Sequence, residues 1–183
     1  DGYVTRNGFV LELMEQDKDI IDQVKASMKA DVPIRYQPDR SDEKRTRRPT
    51  YALQIRRMEI AQDLISHGCF QTKSKILIFP LSVSLEMLRH FVRGYFDGDG
   101  SFVNIRKRVG VDIMGTADFL LPLQSILHNV IGISKSDIRS SSGGNHLQIN
   151  RIADVERFGH WLYDNATIFG QRKYDKILSS GLI

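Results

Sequence analysis

Two acidic residues, Asp97 and Asp99, end an apolar helical pattern in the middle of the chain, and a glycine follows each of them. Apolar side chains recur every three or four residues from Leu85 to Phe96, which predicts a helix with Ser84 as its N-cap. The negative end of a helix dipole disfavours anions, so carboxylates at this point indicate that a cation is expected. A glycine-rich helix end followed by a turn is the simpler interpretation of so short a motif.

Two further features favour a functional role. Gly94 lies inside the predicted helix, where glycine costs about 1 kcal/mol relative to alanine. Together with Gly98 it makes a pair of small residues on one helix face, which allows another backbone to approach closely. The chain also begins Asp1-Gly2-Tyr3-Val4, which matches the segment that starts at Asp99. This match indicates an internal repeat.

A second pair of segments supports the repeat. Leu53-Gln54-Ile55-Arg56-Arg57 parallels Leu147-Gln148-Ile149-Asn150-Arg151, and each leads into an amphipathic helical pattern. We therefore predict two diverged copies of one unit, in domains 1–80 and 81–183. The element order predicted for each copy is strand, strand, helix, strand, strand, helix. Strands are expected around Val4 and at 9–14, 34–37, 50–56, 101–107, 109–114, 137–140 and 146–150. Asp17 is expected to cap the helix between the strands at 9–14 and 34–37. The connections are too short for parallel crossovers, so an α+β class with antiparallel sheets fits best.

Three motifs resemble those of a known family, the LAGLIDADG homing endonucleases. Val92 to Ser101 is similar to the second signature motif of that family. Gly68 to Ser74 followed by Phe79-Pro80 resembles its inter-repeat segment, and Leu162-Tyr163 followed by Arg172-Lys173-Tyr174 resembles its C-terminal one. The resemblance covers essentially the whole chain. It implies two pseudo-symmetric αββαββα-type repeats with antiparallel, saddle-shaped sheets that bind DNA.

The resemblance places the helix of the first motif before Asp1-Gly2, where only its last two residues are present. If that helix lies upstream, a monomer is expected. If it is absent, a dimer through the 84–98 helix is the alternative.

The function implied is that of a site-specific double-stranded DNA endonuclease with a long recognition site, encoded in an intron or intein. Phosphodiester hydrolysis requires a neutralised phosphate, an activated water and a stabilised leaving oxygen, which two divalent cations can supply. Mg²⁺ takes few protein oxygens and keeps water and phosphate ligands, so it is the expected ion. By resemblance Asp1 and Asp99 bind metal between the repeats with Gly98 beside them, whereas Asp97 is structural.

Three further catalytic candidates come from the same resemblance. Lys73 and Lys173 occupy equivalent places in the two repeats, where a basic residue orients water and offsets charge in the transition state. A surface lysine is the simpler interpretation of either position alone, and their duplication favours the functional one. Gln16 corresponds to a position that helps to organise the water network, and the second repeat lacks its counterpart.

Basic residues cluster on or beside the predicted strands, although the net charge of +4 over 183 residues does not by itself require a polyanionic partner. Side chains on the sheets can read base edges in the major groove. The DNA-binding candidates are Thr5, Arg6, Arg35, Gln37, Gln54, Arg56, Asn104, Arg106, Arg108, Arg139, Gln148 and Asn150, with Arg45, Arg47 and Arg48 on phosphate.

The phase of one predicted strand is ambiguous. Alternation puts Asn104, Arg106 and Arg108 on one face and Val103 and Ile105 on the other. The family pattern would aim Val103, Ile105 and Lys107 at DNA instead. We follow the polar alternation and predict that Asn104, Arg106 and Arg108 face the DNA.

Other classes of protein are disfavoured. Cys69 is the only cysteine, so no disulfide framework is expected, and the five histidines lack metal-ligand spacing. No apolar stretch reaches membrane length and no signal peptide is visible, which favours an intracellular protein, whether cytoplasmic, nucleoid-associated or organellar. The alternative function is a non-cleaving nucleic-acid-binding protein of the same fold, either an RNA maturase or a DNA-binding regulator.

Overall fold

The computed structural model of the protein describes residues 2–39, 48–69, 77–105 and 108–183, without the side chains of residues 104, 105 and 108. The chain divides into two compact units. The first comprises Asp1–Thr72 and Gly170–Arg172, and the second comprises Lys73–Phe169 and Lys173–Ile183. The domain limit placed between residues 80 and 81 from the sequence stays a prediction.

The first unit is a four-stranded antiparallel sheet covered by helices on one face. Its elements are β1 (Gly2–Thr5), β2 (Gly8–Met14), α1 (Lys18–Ser27), β3 (Ile34–Gln37), β4 (Thr50–Ile55) and α2 (Met58–Ser66). The strand order is β1-β2-β4-β3. Ile21 of α1 and Leu53 of β4 are fully buried, and they centre a core that the inward side chains of β2 complete.

The second unit repeats this arrangement and adds a long helix before it. Its elements are α3 (Leu85–Asp99), β5 (Gly100–Ile105), β6 (Arg108–Gly115), α4 (Ala117–Ile131), β7 (Arg139–Ser141), β8 (Gly144–Ile149) and α5 (Ile152–Tyr163), and α6 (Gln171–Leu178) follows. The strand order β5-β6-β8-β7 is that of the first sheet. Phe96, Phe102, Phe119 and Phe158 are at most 1% exposed and form the centre of its core.

The repeated strand order confirms the predicted α+β class and the predicted unit. Each described strand lies within a few residues of its expected position, because turn residues and apolar alternation mark the ends and inward faces of strands. Ser84 caps α3 as predicted, since its hydroxyl accepts a 3.4 Å hydrogen bond from the Met87 amide.

Asp17, in contrast, does not cap the helix that it precedes. Its carboxylate makes no capping hydrogen bond to α1. The Arg172 guanidinium donates to both of its oxygens instead, at 2.8 and 3.0 Å. A bidentate bond between two charged groups is stronger than a cap, and Asp17 is nearly buried, so the capping prediction was wrong at this residue.

Candidate active site and nucleic-acid interface

The two carboxylates of the motif lie where α3 passes directly into β5. Gly100 adopts φ −97° and ψ 165°, so the chain leaves the helical conformation at this residue and enters the strand. A Cβ atom on Gly100 would lie 2.1 Å from the Phe96 ring, which is itself fully buried. Only glycine fits this junction, and the tight exit brings the end of α3 to the edge of the second sheet.

Asp97 and Asp99 have opposite environments. Asp97 is buried and accepts a 3.4 Å hydrogen bond from the Tyr163 hydroxyl. Burial raises the pKa of Tyr163, and the nearby Asp97 carboxylate raises this pKa further. Asp99 and the preceding Gly98 are exposed. Asp99 is therefore the carboxylate of this pair that can meet a ligand from solvent.

The ammonium group of Lys173 occupies the end of α3. It is buried, with 6% of the residue exposed. It donates to the carbonyl oxygens of Phe96 at 2.6 Å, Asp97 at 2.7 Å, Gly98 at 3.4 Å and Gly100 at 2.6 Å. A cation was expected at this helix end from the charge pattern, and the chain itself supplies one.

Arg93 is a second buried cation on α3. Its guanidinium donates 2.8 Å hydrogen bonds to the carbonyl oxygens of Leu162, near the end of α5, and Ile168. It also lies 2.7 Å from Nδ1 of His90. Burial lowers the pKa of Arg93, and Asp97 opposes this change. Sequence reasoning missed Arg93, although an arginine directly after Val92 on an apolar helix was a signal for a buried cation.

Tyr95 fixes α3 against the sheet and α4. Its hydroxyl donates a 2.7 Å hydrogen bond to the Met114 carbonyl oxygen, and its ring stacks on Phe119 with centroids 4.0 Å apart. A Cβ atom on Gly115 would lie 2.8 Å from the Tyr95 hydroxyl, so glycine is needed beside it. Burial and the Asp99 carboxylate both raise the pKa of Tyr95.

One face of the second sheet packs on the core, and the other is open. Phe102 is buried, and the residues on either side of it, Ser101 and Val103, point to the open face, paired with Asp112 and Gly110. The predicted phase, with Val103 on the inner face, is therefore wrong at Val103. The apolar Phe102 sets the phase because burial of a large ring outweighs the polar pattern beside it.

Polar side chains link three strands on this open face. Asp112 Oδ2 lies 3.0 Å from Nδ1 of His146, and Nε2 of His146 lies 3.0 Å from the Ser141 hydroxyl. The second oxygen of Asp112 is shielded from solvent and has no hydrogen-bond partner among the described residues. Gln148 pairs with Asp112 across the strands and shares the face. Sequence reasoning missed the link between Asp112 and His146, because only the strand pairing brings them together.

The open face of the first sheet gathers four of the predicted residues. Arg35 pairs with Ala52, Gln37 with Thr50, and Gln54 with Val10, whereas Leu53, between Ala52 and Gln54, is buried in the core. Thr5 lies on the same face by the β1–β2 register. Thr50 donates a 2.8 Å hydrogen bond to Glu12 there. Arg139, the first residue of β7, is exposed, and so are predicted residues that lie outside the strands, namely Arg6, Gln16, Arg48, Arg56 and Asn150.

Several predicted residues lie outside the part of the chain that the structure describes. They are Asp1, Lys73, Arg45, Arg47 and Arg106. Asn104 and Arg108 are described in their backbone pairing only, with Asn104 opposite Val109 and Arg108 opposite Ile105. The roles of all seven residues stay predictions.

The donor atoms at the end of α3 are of the kind that a divalent cation binds. Mg²⁺ takes one or two carboxylates and completes its shell with water and phosphate oxygens, and Asp99 offers one exposed carboxylate. Gly98 shares its carbonyl oxygen with Lys173, which weakens it as a second ligand. Within the described ranges, no group of three or more His, Cys, Asp or Glu side chains is arranged to hold a metal ion.

Comparison with known proteins agrees with the repeat and its motif. Residues 86–160, which contain α3, the second sheet and most of α5, match the family model of the LAGLIDADG-like domain. This part of the chain is similar to LAGLIDADG-like domains. No curated protein sequence matches the chain. The resemblance seen in the sequence motifs is thus confirmed by an independent comparison.

Solved structures extend the LAGLIDADG likeness to the rest of the chain. The N-terminal LAGLIDADG domain of DUF199/WhiA is 17% identical with a TM-score of 0.55, over 98% of this chain and 78% of that one. The homing endonuclease I-LtrWI bound to target DNA is 13% identical with a TM-score of 0.60, over 95% and 77%. The meganuclease I-AabMI bound to uncleaved DNA is 11% identical with a TM-score of 0.52, over 100% and 87%. At these identities the likeness shows the LAGLIDADG homing endonuclease fold.

None of the described helices has the length and apolar character needed to cross a bilayer.

Proposed function

We propose that the protein is a site-specific, divalent-metal-dependent endonuclease of double-stranded DNA. The observation that carries the proposal is the contrast between Asp99, exposed where α3 meets the second sheet, and Asp97, buried against Tyr163. An exposed carboxylate beside a surface for a polyanion is unfavourable unless a cation lies between them. The placement of Asp99 therefore favours a metal-assisted reaction on phosphate.

Each part of the proposed site has a separate task. A bound Mg²⁺ would polarise the phosphate and lower the pKa of a water molecule. Asp99 would hold the ion, and Asp1, Gln16 and Lys73 stay the predicted catalytic residues of the first repeat. The carrier element, an intron or an intein, stays a prediction.

The open sheet faces are proposed to bind the DNA. Glutamine pairs with adenine and arginine with guanine through two hydrogen bonds in the major groove. Gln54 and Arg35 offer these groups on the first sheet, and Gln148 and Arg139 offer them on the second. Arg48 is exposed just before β4 and is assigned to phosphate. Two matched structures with this fold are bound to DNA, which supports DNA as the ligand of this chain.

A non-cleaving DNA-binding regulator of the same fold is the second candidate. The observation that favours it is the burial of Lys173, whose ammonium donates to backbone carbonyls at the end of α3. Matched structures include homing endonucleases and the WhiA LAGLIDADG domain, so the fold is shared by both candidates. The two candidates share DNA binding and differ in hydrolysis.

The deciding experiment uses a randomised library of double-stranded DNA. Bound sequences are first enriched with Ca²⁺ in place of Mg²⁺, and the enriched pool is then incubated with Mg²⁺. The proposal predicts cleavage of the pool by the wild-type protein, and none in EDTA. Binding without cleavage would establish the second candidate, and no DNA affinity under either condition would contradict both.

A further inference from the structure

We propose that Lys173 is a positioning residue, which caps the C-terminus of α3 and thereby fixes the Asp99 carboxylate at the edge of the second sheet. This role rests on the proposed function of Asp99. The motif resemblance assigns Lys173 to the water network beside the phosphate instead. The ammonium group of Lys173 contacts backbone carbonyls, which supports a role in which Lys173 positions Asp99 through the backbone.

The hydrogen-bonding capacity of the Lys173 ammonium matches the end of α3. The last four carbonyl groups of a helix lack partners within the helix, and an ammonium group has three protons to donate. Three carbonyl oxygens, of Phe96, Asp97 and Gly100, lie 2.6 to 2.7 Å from Nζ. These three bonds account for the three protons. The fourth contact, to Gly98 at 3.4 Å, is longer.

The capped carbonyls enclose Asp99 in the sequence. Asp97 O lies before it and Gly100 O after it, and both accept from the same nitrogen atom. The backbone torsions of Asp99 are therefore restrained from both sides. The Phe96 ring also occupies the place where a Cβ atom of residue 100 would lie, so the chain is tightly packed directly after Asp99.

The charge of Lys173 also compensates for the position of the carboxylates. The end of α3 carries the negative end of the helix dipole in addition to Asp97 and Asp99, and a cation there is stabilising. Lys173 further lies 5.3 Å from the centroid of the Phe96 ring, at cation–π distance. Burial of an ammonium costs less free energy when its protons are hydrogen-bonded, and the three short carbonyl contacts supply these bonds.

The place of Lys173 in its own helix supports the same role. It lies in the first turn of α6, where the positive end of the dipole disfavours a cation. Lys176, one turn later on α6, is exposed and lies near the favourable end. The first-turn position is therefore explained by the contacts to α3, and Lys176 provides a matched control.

The test compares Lys173→Met, Lys173→Arg and Lys176→Met with the wild-type protein. The first readout is amide hydrogen exchange of residues 98–101 in the free protein. The second is the Mn²⁺ dissociation constant of the complex with enriched DNA, measured by electron paramagnetic resonance. Loss of a group that orients a metal ligand typically weakens metal binding by about 10- to 100-fold.

For Lys173→Met we expect exchange at 98–101 at least about tenfold faster, which is the effect of about 1.4 kcal/mol on local opening. We also expect the Mn²⁺ constant to rise by about 10- to 100-fold, with DNA affinity in the absence of divalent cation unchanged. Lys173→Arg, which keeps the charge and the fold, gives a smaller change in both readouts, and Lys176→Met gives none.

Slower cleavage by Lys173→Met with unchanged exchange and unchanged Mn²⁺ affinity would contradict the positioning role, and would place the ammonium among the reacting groups. Unchanged exchange in both Lys173 variants would also contradict the positioning role. If Lys173→Met does not fold, unchanged exchange in Lys173→Arg alone would contradict it. Failure of the proposed function is separately visible, because the wild-type complex would then bind no Mn²⁺ at all.

Discussion

The hydroxyl group of Tyr163 donates a 3.4 Å hydrogen bond to Asp97, and both residues are buried in the second unit. This contact separates two carboxylates that lie only two residues apart in the sequence. Asp97 contributes to the packing of α3 on α5, whereas Asp99 remains exposed at the end of the same helix. We therefore expect Asp97 to contribute to the stability of the fold and Asp99 to contribute to the reaction.

Replacement of the buried carboxylate should lower stability. Asp97→Asn leaves an imperfect partner for Tyr163 in a buried position, and the expected loss in the free energy of unfolding is about 1–3 kcal/mol. Asp99→Asn, at an exposed position, should change it by no more than about 0.5 kcal/mol. Urea denaturation of both variants measures the difference. Equal losses in the two variants would contradict the assignment of Asp97 to the core.

Stability should also fall at alkaline pH. Folding raises the pKa of Tyr163 and Tyr95, mainly through burial, so both bind their protons more tightly in the folded state. Their contribution is fully present below the ordinary tyrosine pKa of about 10 and is lost as the pH rises above it. The melting temperature measured from pH 9 to 12 should show this decrease. Tyr163→Phe should reduce the decrease, and Tyr36→Phe, at a half-exposed ring, should not.

Two glycines of the motif should respond oppositely to alanine. Gly100→Ala forces a Cβ atom against the buried Phe96 ring, and overpacking of this kind costs about 1–3 kcal/mol. Gly94 lies inside α3 with nothing described within 4 Å of an added Cβ atom, so Gly94→Ala should gain about 1 kcal/mol. Thermal denaturation gives both values. A lower melting temperature for Gly94→Ala would show that another segment packs on this face of α3.

Variants of the DNA-binding residues should separate affinity from specificity. Arg48→Ala should weaken binding of all sequences alike and reduce the slope of log K against log salt by about 1. Gln148→Ala, on the open face of the second sheet, should relax discrimination at one base pair by about 1–3 kcal/mol. Binding assays over a salt series with single-base variants of the enriched site measure both. A uniform loss for Gln148→Ala would remove it from base recognition.

The sequence predicted the fold better than the interior of the site. Periodicity and turn residues are local signals, so the strands, the repeat and the Ser84 cap were recognisable without the structure. Lys173 and Arg93 bind backbone carbonyls that lie 77 and 69 residues away in the chain, at Phe96 and Leu162. A carbonyl carries no sequence signal, so these partners could not be predicted.

Competition between local rules explains the two errors. At Val103 the polar alternation of the following residues pointed one way, and burial of Phe102 decided the phase. At Asp17 the capping rule was outweighed by a bidentate ion pair with Arg172. Both outcomes depend on tertiary contacts, which override a local preference worth about 1 kcal/mol.

The most direct test of the proposed function is single-turnover cleavage of the enriched DNA site by the wild-type protein and by Asp99→Asn. With Mg²⁺ the variant should cleave at least about 100-fold more slowly, because it loses a metal ligand and not merely a residue that orients one. Its dissociation constant for the DNA, measured without divalent cation, should be no higher than that of the wild type, because the variant removes a negative charge that faces phosphate. Cleavage at the wild-type rate by Asp99→Asn would contradict the account.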